Sequence, residues 1–211
     1  MTSQPGSPRP FRASGRRAGQ RFDAQHGITT EALVFLGDLD PERLGRSLEF
    51  ATHYEPTPVG EAEALLDAVP LPLDDSTFVD VGAGMGRVVF LAARRPFKTI
   101  VGIEISPALV QIARDNLTQI EDSSRRCRDV RLVRADAATY RYPRGNLVLY
   151  LFNPFRAPVL ERVLARVCAL ARDVVLLYHT PLERETIERN EAFEIVDDLG
   201  FGAVYRRRPI P

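Results

Sequence analysis

Phe78-Val79-Asp80-Val81-Gly82-Ala83-Gly84-Met85-Gly86-Arg87-Val88 is an apolar stretch that runs into three glycines at alternate positions and then into a helical pattern. Glycine has no Cβ, so the backbone can turn sharply and a ligand can lie against it, beside the N-terminus of the helix that follows. The stretch predicts a strand, a loop and a helix whose junction cradles a ligand. The plainer alternative is that the glycines only permit the turn. Three of them at alternate positions directly after an apolar strand argue for the cradle.

Outward from this unit, strands and helices alternate. Strands are expected over 77–81, 99–105, 130–135, 146–152 and 173–179, and helices over 59–69, 86–94, 107–120 and 157–170, with Pro107 at a first helical position. The strand at 173–179 is almost continuously apolar, as a strand buried on both faces must be. Two further strands, 192–199 and 202–208, are joined through Gly200 as a hairpin. The fold class expected is therefore α/β: a doubly wound, mostly parallel seven-stranded sheet with a C-terminal antiparallel hairpin and an N-terminal helical extension.

Residues 1–22 hold five Arg, three Pro, three Gly and no acid, and are expected to be a disordered basic tail. An Arg-rich transit peptide is the alternative, but its amphipathic helix would be spoiled by those prolines and glycines. Residues 23–58 read as a helical lid module, with Leu33, Val34, Leu36, Leu39 and Leu44 available to a core and the stiff segment Tyr54-Glu55-Pro56-Thr57-Pro58 at its end. Residues 59–211 form the expected catalytic core.

The spacing of the loop bears on its ligand. A dinucleotide fingerprint of the G-x-G-x-x-G/A type needs a third small residue at position 87, where this chain has Arg87. Glycines at 82, 84 and 86 instead resemble the first motif of the class I S-adenosylmethionine-dependent methyltransferases. That resemblance implies a loop holding the methionine end of S-adenosyl-L-methionine, ordered by Asp80. It implies that Glu104, at the end of the second strand and 22 residues beyond Gly82, accepts bonds from the ribose hydroxyls. It also implies that Asp136, in Ala135-Asp136-Ala137 after the third strand, meets the adenine amino group. An acid at the second strand end is shared with NAD proteins, so an NAD(P)-dependent oxidoreductase remains an alternative, as does a protein that binds S-adenosylmethionine without transferring its methyl group.

At the end of the fourth strand stands Leu149-Tyr150-Leu151-Phe152-Asn153-Pro154-Phe155. It resembles, one proline short, the [DN]-P-P-[YF] motif of methyltransferases that act on nitrogen, which implies that Asn153 accepts a bond from the acceptor N–H while Phe155 packs on it. A simple Asn-Pro turn is the plainer reading. Tyr54 and Thr57 resemble the Y-x-P-T-P segment of a group of bacterial methyltransferases, in which it covers the cofactor; a rigid linker is the alternative. His179 also ends a strand and is a candidate proton relay or cleft wall. The basic runs 125–128 and 206–208 read as solvated loops.

Composition limits the partners. With 28 Lys+Arg against 28 Asp+Glu and a pI near 6.9, the chain lacks the positive excess of a protein that coats nucleic acid, so a protein or small-molecule methyl acceptor is expected over nucleic acid. Cys127 and Cys168 have no metal or disulfide spacing, and no metal is expected. No run of roughly 20 apolar residues occurs, so a cytoplasmic protein with no membrane partner is expected. The charge sum hides an asymmetry: beyond residue 22 the chain carries 23 basic and 28 acidic residues.

Overall fold

The structure is a computed structural model and describes residues 13–32, 54–120, 124–154 and 156–209. Strand β1 (Ser76–Val81) is buried at every position and lies in the interior of the sheet. β2 (Thr99–Glu104) and β4 (Gly145–Phe152) pair with it in parallel on either side. β3 (Val130–Arg134) extends the sheet beyond β2, and β5 (Ala171–His179) extends it beyond β4. The hairpin of β6 (Phe193–Asp198) and β7 (Gly202–Arg207) completes seven strands in the order β3-β2-β1-β4-β5-β7-β6, with β7 antiparallel to both neighbours. This is the doubly wound, mostly parallel sheet that the alternation predicts.

Consecutive residues of a strand point to opposite faces, and each face of this sheet is covered, which is why the central strands read as unbroken apolar runs. Phe78, Val148 and Val175 join one core with Leu65 and Leu66 of helix α2 (Val59–Asp67) and Leu91 of α3 (Arg87–Ala93). Their neighbours Val79, Leu149 and Leu176 join the other, with Val163, Leu164 and Val167 of α5 (Ala157–Leu170). Between β2 and β3 runs α4 (Pro107–Gln119), whose cap Ser106 accepts a bond from the Leu109 N–H at 3.3 Å. β6 is the sheet edge, exposed apart from Phe193 and carrying Glu194, Asp197 and Asp198, charges that discourage pairing with another chain.

The sequence reading missed two short elements, a 3-10 turn at Leu73–Asp75 and helix α6 (Arg184–Glu188). It also ran the expected basic tail through to residue 22, whereas helix α1 spans Ala13–His26. The prolines that argue against order all lie before residue 11, and Phe22, 5% exposed, supplies the apolar anchor that the averaged composition concealed. Within the expected lid module, residues 27–32 are non-helical, and the apolar set from Leu33 to Leu44 lies outside the described residues.

Candidate functional site

Strand order reverses between β1 and its neighbour β4, and ligands of such sheets sit at the carboxyl ends of the strands beside that point. A cavity open to solvent lies there. Three of its lining residues come from consecutive strand ends: Asp80 of β1, Glu104 of β2 and Asp136 just beyond β3. Gly82, Tyr54 and Thr57 line it as well, so the structure brings together six of the residues singled out in the sequence.

The glycine loop is built by its φ angles and its crowding. Gly82, Gly84 and Gly86 have φ of 81°, 53° and 91°, in the left-handed region that side chains with a Cβ seldom take. At Gly84 a Cβ would strike the Tyr54 ring, and at Gly86 it would lie 2.6 Å from the Phe90 ring. These two glycines thus lie off the cavity wall and serve its shape. The loop's donors are turned inward too: the N–H groups of Gly82 and Ala83 each reach the Ile103 carbonyl at 2.9 Å, Gly84 N–H reaches Glu104 at 2.9 Å, and Gly86 N–H reaches the Ala83 carbonyl at 2.8 Å. A dinucleotide's pyrophosphate is held by free backbone donors at this position. Here four are committed, and the cradle suits a ligand without phosphate.

Glu104 accepts from Gly84 N–H on Oε2 and from Ser106 N–H on Oε1, both at 2.9 Å, with the Ile105 N–H also acting on it. A carboxylate has about four acceptor positions, so both oxygens keep capacity for a ligand diol. Burial raises its pKa, and the Ser106 and Gly84 donors partly offset that rise. Asp80 is 3% exposed and has no hydrogen-bond partner among the described residues. Burial, with the neighbouring Glu104 adding to it, pushes Asp80 up to about 8. A buried acid in this state fits a ligand that brings a cationic or N–H donor. Asp136 faces the same cavity and caps its own turn, accepting from Ala138 N–H at 2.8 Å. This set of acceptors fits S-adenosylmethionine, whose ends are an ammonium, a ribose diol and an adenine amine.

The roof is tied down by a residue that sequence reasoning used only to exclude a dinucleotide. Arg87, 3% exposed at the start of α3, donates from Nε to Thr30 Oγ1 at 2.7 Å, from Nη1 to the Thr57 carbonyl at 3.2 Å and from Nη2 to Glu31 at 2.8 Å, with Asp23 3.6 Å away. Tyr54 hydroxyl donates to the Thr30 carbonyl at 2.7 Å, and Tyr150 hydroxyl donates to Thr57 Oγ1 at 3.1 Å. Asn116 of α4 holds Thr29 through bonds of 2.8 and 3.0 Å. The usable signal was an arginine one residue past the last glycine, a charge that must find partners if it is buried.

The acceptor side is less complete. Asn153 has φ 41°, and its carboxamide oxygen accepts from Leu182 N–H at 3.1 Å. Its neighbours Phe152 and Pro154 line the cavity, while Phe155 lies outside the described residues. His179 stands behind Phe152, with Nε2 2.7 Å from Glu61. Among the described residues no cluster of His, Cys, Asp or Glu could hold a metal, and no helix is long and apolar enough to cross a membrane.

Residues 78–173 match the family described as a methyltransferase domain. No curated protein matches the sequence. Among solved structures, an RNA methyltransferase from Salinibacter ruber in complex with S-adenosyl-L-homocysteine is 25% identical, covering 74% of this chain and 97% of its own, with a TM-score of 0.51. A candidate RNA methyltransferase from Pyrococcus horikoshii covers 90% of this chain and 99% of its own at 14% identity and a TM-score of 0.58. The 23S rRNA methyltransferase ErmE is 15% identical over 72% of this chain and 69% of its own, with a TM-score of 0.51. The last two share the fold. The expectation of a protein or small-molecule acceptor, with nucleic acid unlikely, is corrected by the 25% identical structure, which is an RNA methyltransferase. The reasoning failed because it summed charge over the chain: Arg16, Arg17 and Arg21 of α1 are exposed and form no ion pair among the described residues. Sheet order, the matched domain and a cavity whose carboxylates fit the cofactor agree: the chain carries a class I, S-adenosylmethionine-dependent methyltransferase domain.

Proposed function

We propose that the enzyme methylates a nitrogen of RNA. The observation that carries this reading is the 25% identical RNA methyltransferase, which this chain matches over 97% of that protein's length. The basic face of α1, with Arg16, Arg17 and Arg21 exposed and in no ion pair among the described residues, supports it. The choice of nitrogen rests on Asn153-Pro154-Phe155, which resembles, one proline short, the motif of nitrogen-directed enzymes.

Bound S-adenosylmethionine supplies an electrophilic methyl group on a sulfonium with a good leaving group. The protein's part is to align the acceptor with it and to exclude water. In this reading Asp80 holds the ammonium of the methionine end, Glu104 the ribose hydroxyls and Asp136 the adenine amine. Gly82, Gly84 and Gly86 shape the floor, and Tyr54 and Thr57 close the roof. In the same reading Asn153 offers its carboxamide oxygen to the acceptor N–H.

The test is incubation with methyl-labelled S-adenosylmethionine and separated fractions of cell RNA, protein and small molecules. Label is expected in RNA, released by nuclease digestion as N-methylated nucleosides. Label confined to the protein or small-molecule fraction would overturn the acceptor class, and label on ribose oxygen would overturn the choice of nitrogen.

A further inference from the structure

We infer that Glu61, His179 and Thr180 form a relay that takes the proton of the methyl acceptor, an inference that rests on the function proposed above. His179 ends β5 with its imidazole 3% exposed. Its Nε2 lies 2.7 Å from Glu61 Oε2 in the first turn of α2, and its Nδ1 lies 3.2 Å from Thr180 Oγ1. Phe152, which lines the cofactor cavity, meets the ring edge-on with centroids 4.4 Å apart, and Phe201 flanks it at 6.1 Å. The ring therefore has one orientation. An ionised Glu61 can only accept, so the imidazole carries its proton on Nε2 and presents the Nδ1 lone pair to the threonine hydroxyl. Tyr150 of β4, which lines the cavity, lies within reach of Glu61's charge.

The backbone places that hydroxyl deliberately. Phe152 and His179 are partners in register, so the chain leaves the two strands side by side at Asn153 and Thr180. Both residues are left-handed, with φ of 41° and 45°, a conformation that a β-branched threonine rarely takes. It is held by Thr180 N–H on the Phe201 carbonyl at 2.8 Å and by Leu182 N–H on the Asn153 carboxamide at 3.1 Å. Strain of this kind is retained where the surroundings over-determine it, which is a recurring property of reaction sites. Thr180 is exposed, His179 is buried, and the Glu61 side chain is 39% exposed.

In the step, the acceptor nitrogen's lone pair forms the N–CH3 bond as the S–CH3 bond breaks and its electron pair goes to sulfur. The proton on that nitrogen passes to Thr180 Oγ1, the hydroxyl's own proton moves to His179 Nδ1, and Glu61 balances the imidazolium. Thr180 is the catalytic residue of this set; His179 and Glu61 act through it.

Two measurements on the full chain test this. Long-range 15N NMR of the ligand-free protein is expected to show His179 protonated on Nε2 with Nδ1 bare, and a proton on Nδ1 in the resting protein would overturn the relay whatever the acceptor. In single-turnover assays with labelled S-adenosylmethionine and total RNA, Thr180→Val should slow transfer by about 100-fold with cofactor affinity unchanged, and Thr180→Ser should restore it. His179→Gly should regain activity with added imidazole, which a structural histidine would not. Wild-type rates in Thr180→Val would overturn the relay. Should label enter protein or small molecules instead, the RNA reading fails alone and the same variants are scored on that fraction.

Discussion

Asp80 holds a proton near neutral pH because its carboxyl is buried beside Glu104 with no donor to stabilise its charge, which raises it from 3.8 to about 8. A cationic ligand group needs the ionised acid. Below pH 8 cofactor binding must therefore expel a proton, and affinity should fall by close to tenfold per pH unit down from that value. Calorimetry in buffers of different ionisation enthalpy measures the released proton directly, and a pH-independent affinity between 6 and 8 would refute the assignment. The same group opposes folding. Between pH 3.8 and about 8 the folded state keeps a proton that the unfolded chain gives up, so this contribution to stability falls as pH rises across that window and then levels. Asp80→Asn should stabilise the ligand-free protein at pH 7 by an amount on the order of a few kcal/mol while abolishing cofactor binding, a pairing that distinguishes a ligand-holding acid from a structural one.

At the scale of elements, the glycine loop is clamped between β2 and a segment far upstream, and Arg87 joins the two. Its three donors bind residues 30, 31 and 57, so α3 carries its own roof. Replacing Arg87 with Met leaves Glu31 and Asp23 without their cation in a poorly hydrated site, which should cost about 3 to 5 kcal/mol. A denaturant midpoint shift at unchanged slope reads that loss, and a change below about 1 kcal/mol would show that the network is replaceable. These contacts also mark where the sequence could be read and where it could not. Strand ends were legible because burial on both faces forces apolar runs, and the acids at 80, 104 and 136 stand out at the ends of those runs. Gly82, Gly84 and Gly86 were legible as a loop, but not that Gly84 lies beneath Tyr54, since that contact joins residues 30 positions apart. Helix α1 was hidden by averaging its composition with the prolines before it. Asp23, Thr30 and Glu31 carry no local pattern at all; only the fold brings them to Arg87.

For the whole molecule, a neutral sum conceals two unlike surfaces. Residues 1–22 carry five arginines and no acid, and the rest of the chain carries five more acidic than basic residues. The acidic edge strand β6 lies at one end of the sheet, while α1 packs against α2, the helix whose first turn holds Glu61 beside the carboxyl end of β5. If RNA is the acceptor, as proposed, the arginines attract its phosphates and the acidic body repels them, which favours a path along α1. Each phosphate neutralised on a single strand contributes about 0.7 to the dependence of log affinity on log salt. If Arg16, Arg17 and Arg21 each meet one phosphate, replacing all three with Gln should reduce that slope by about 2 and weaken binding most at low salt. S-adenosylmethionine affinity should stay the same, because none of the three lines the cofactor cavity. Filter binding of a labelled RNA across a salt series measures the slope. An unchanged slope would remove α1 from the RNA path and leave the acceptor to be guided by the loops after β4 and β5 alone.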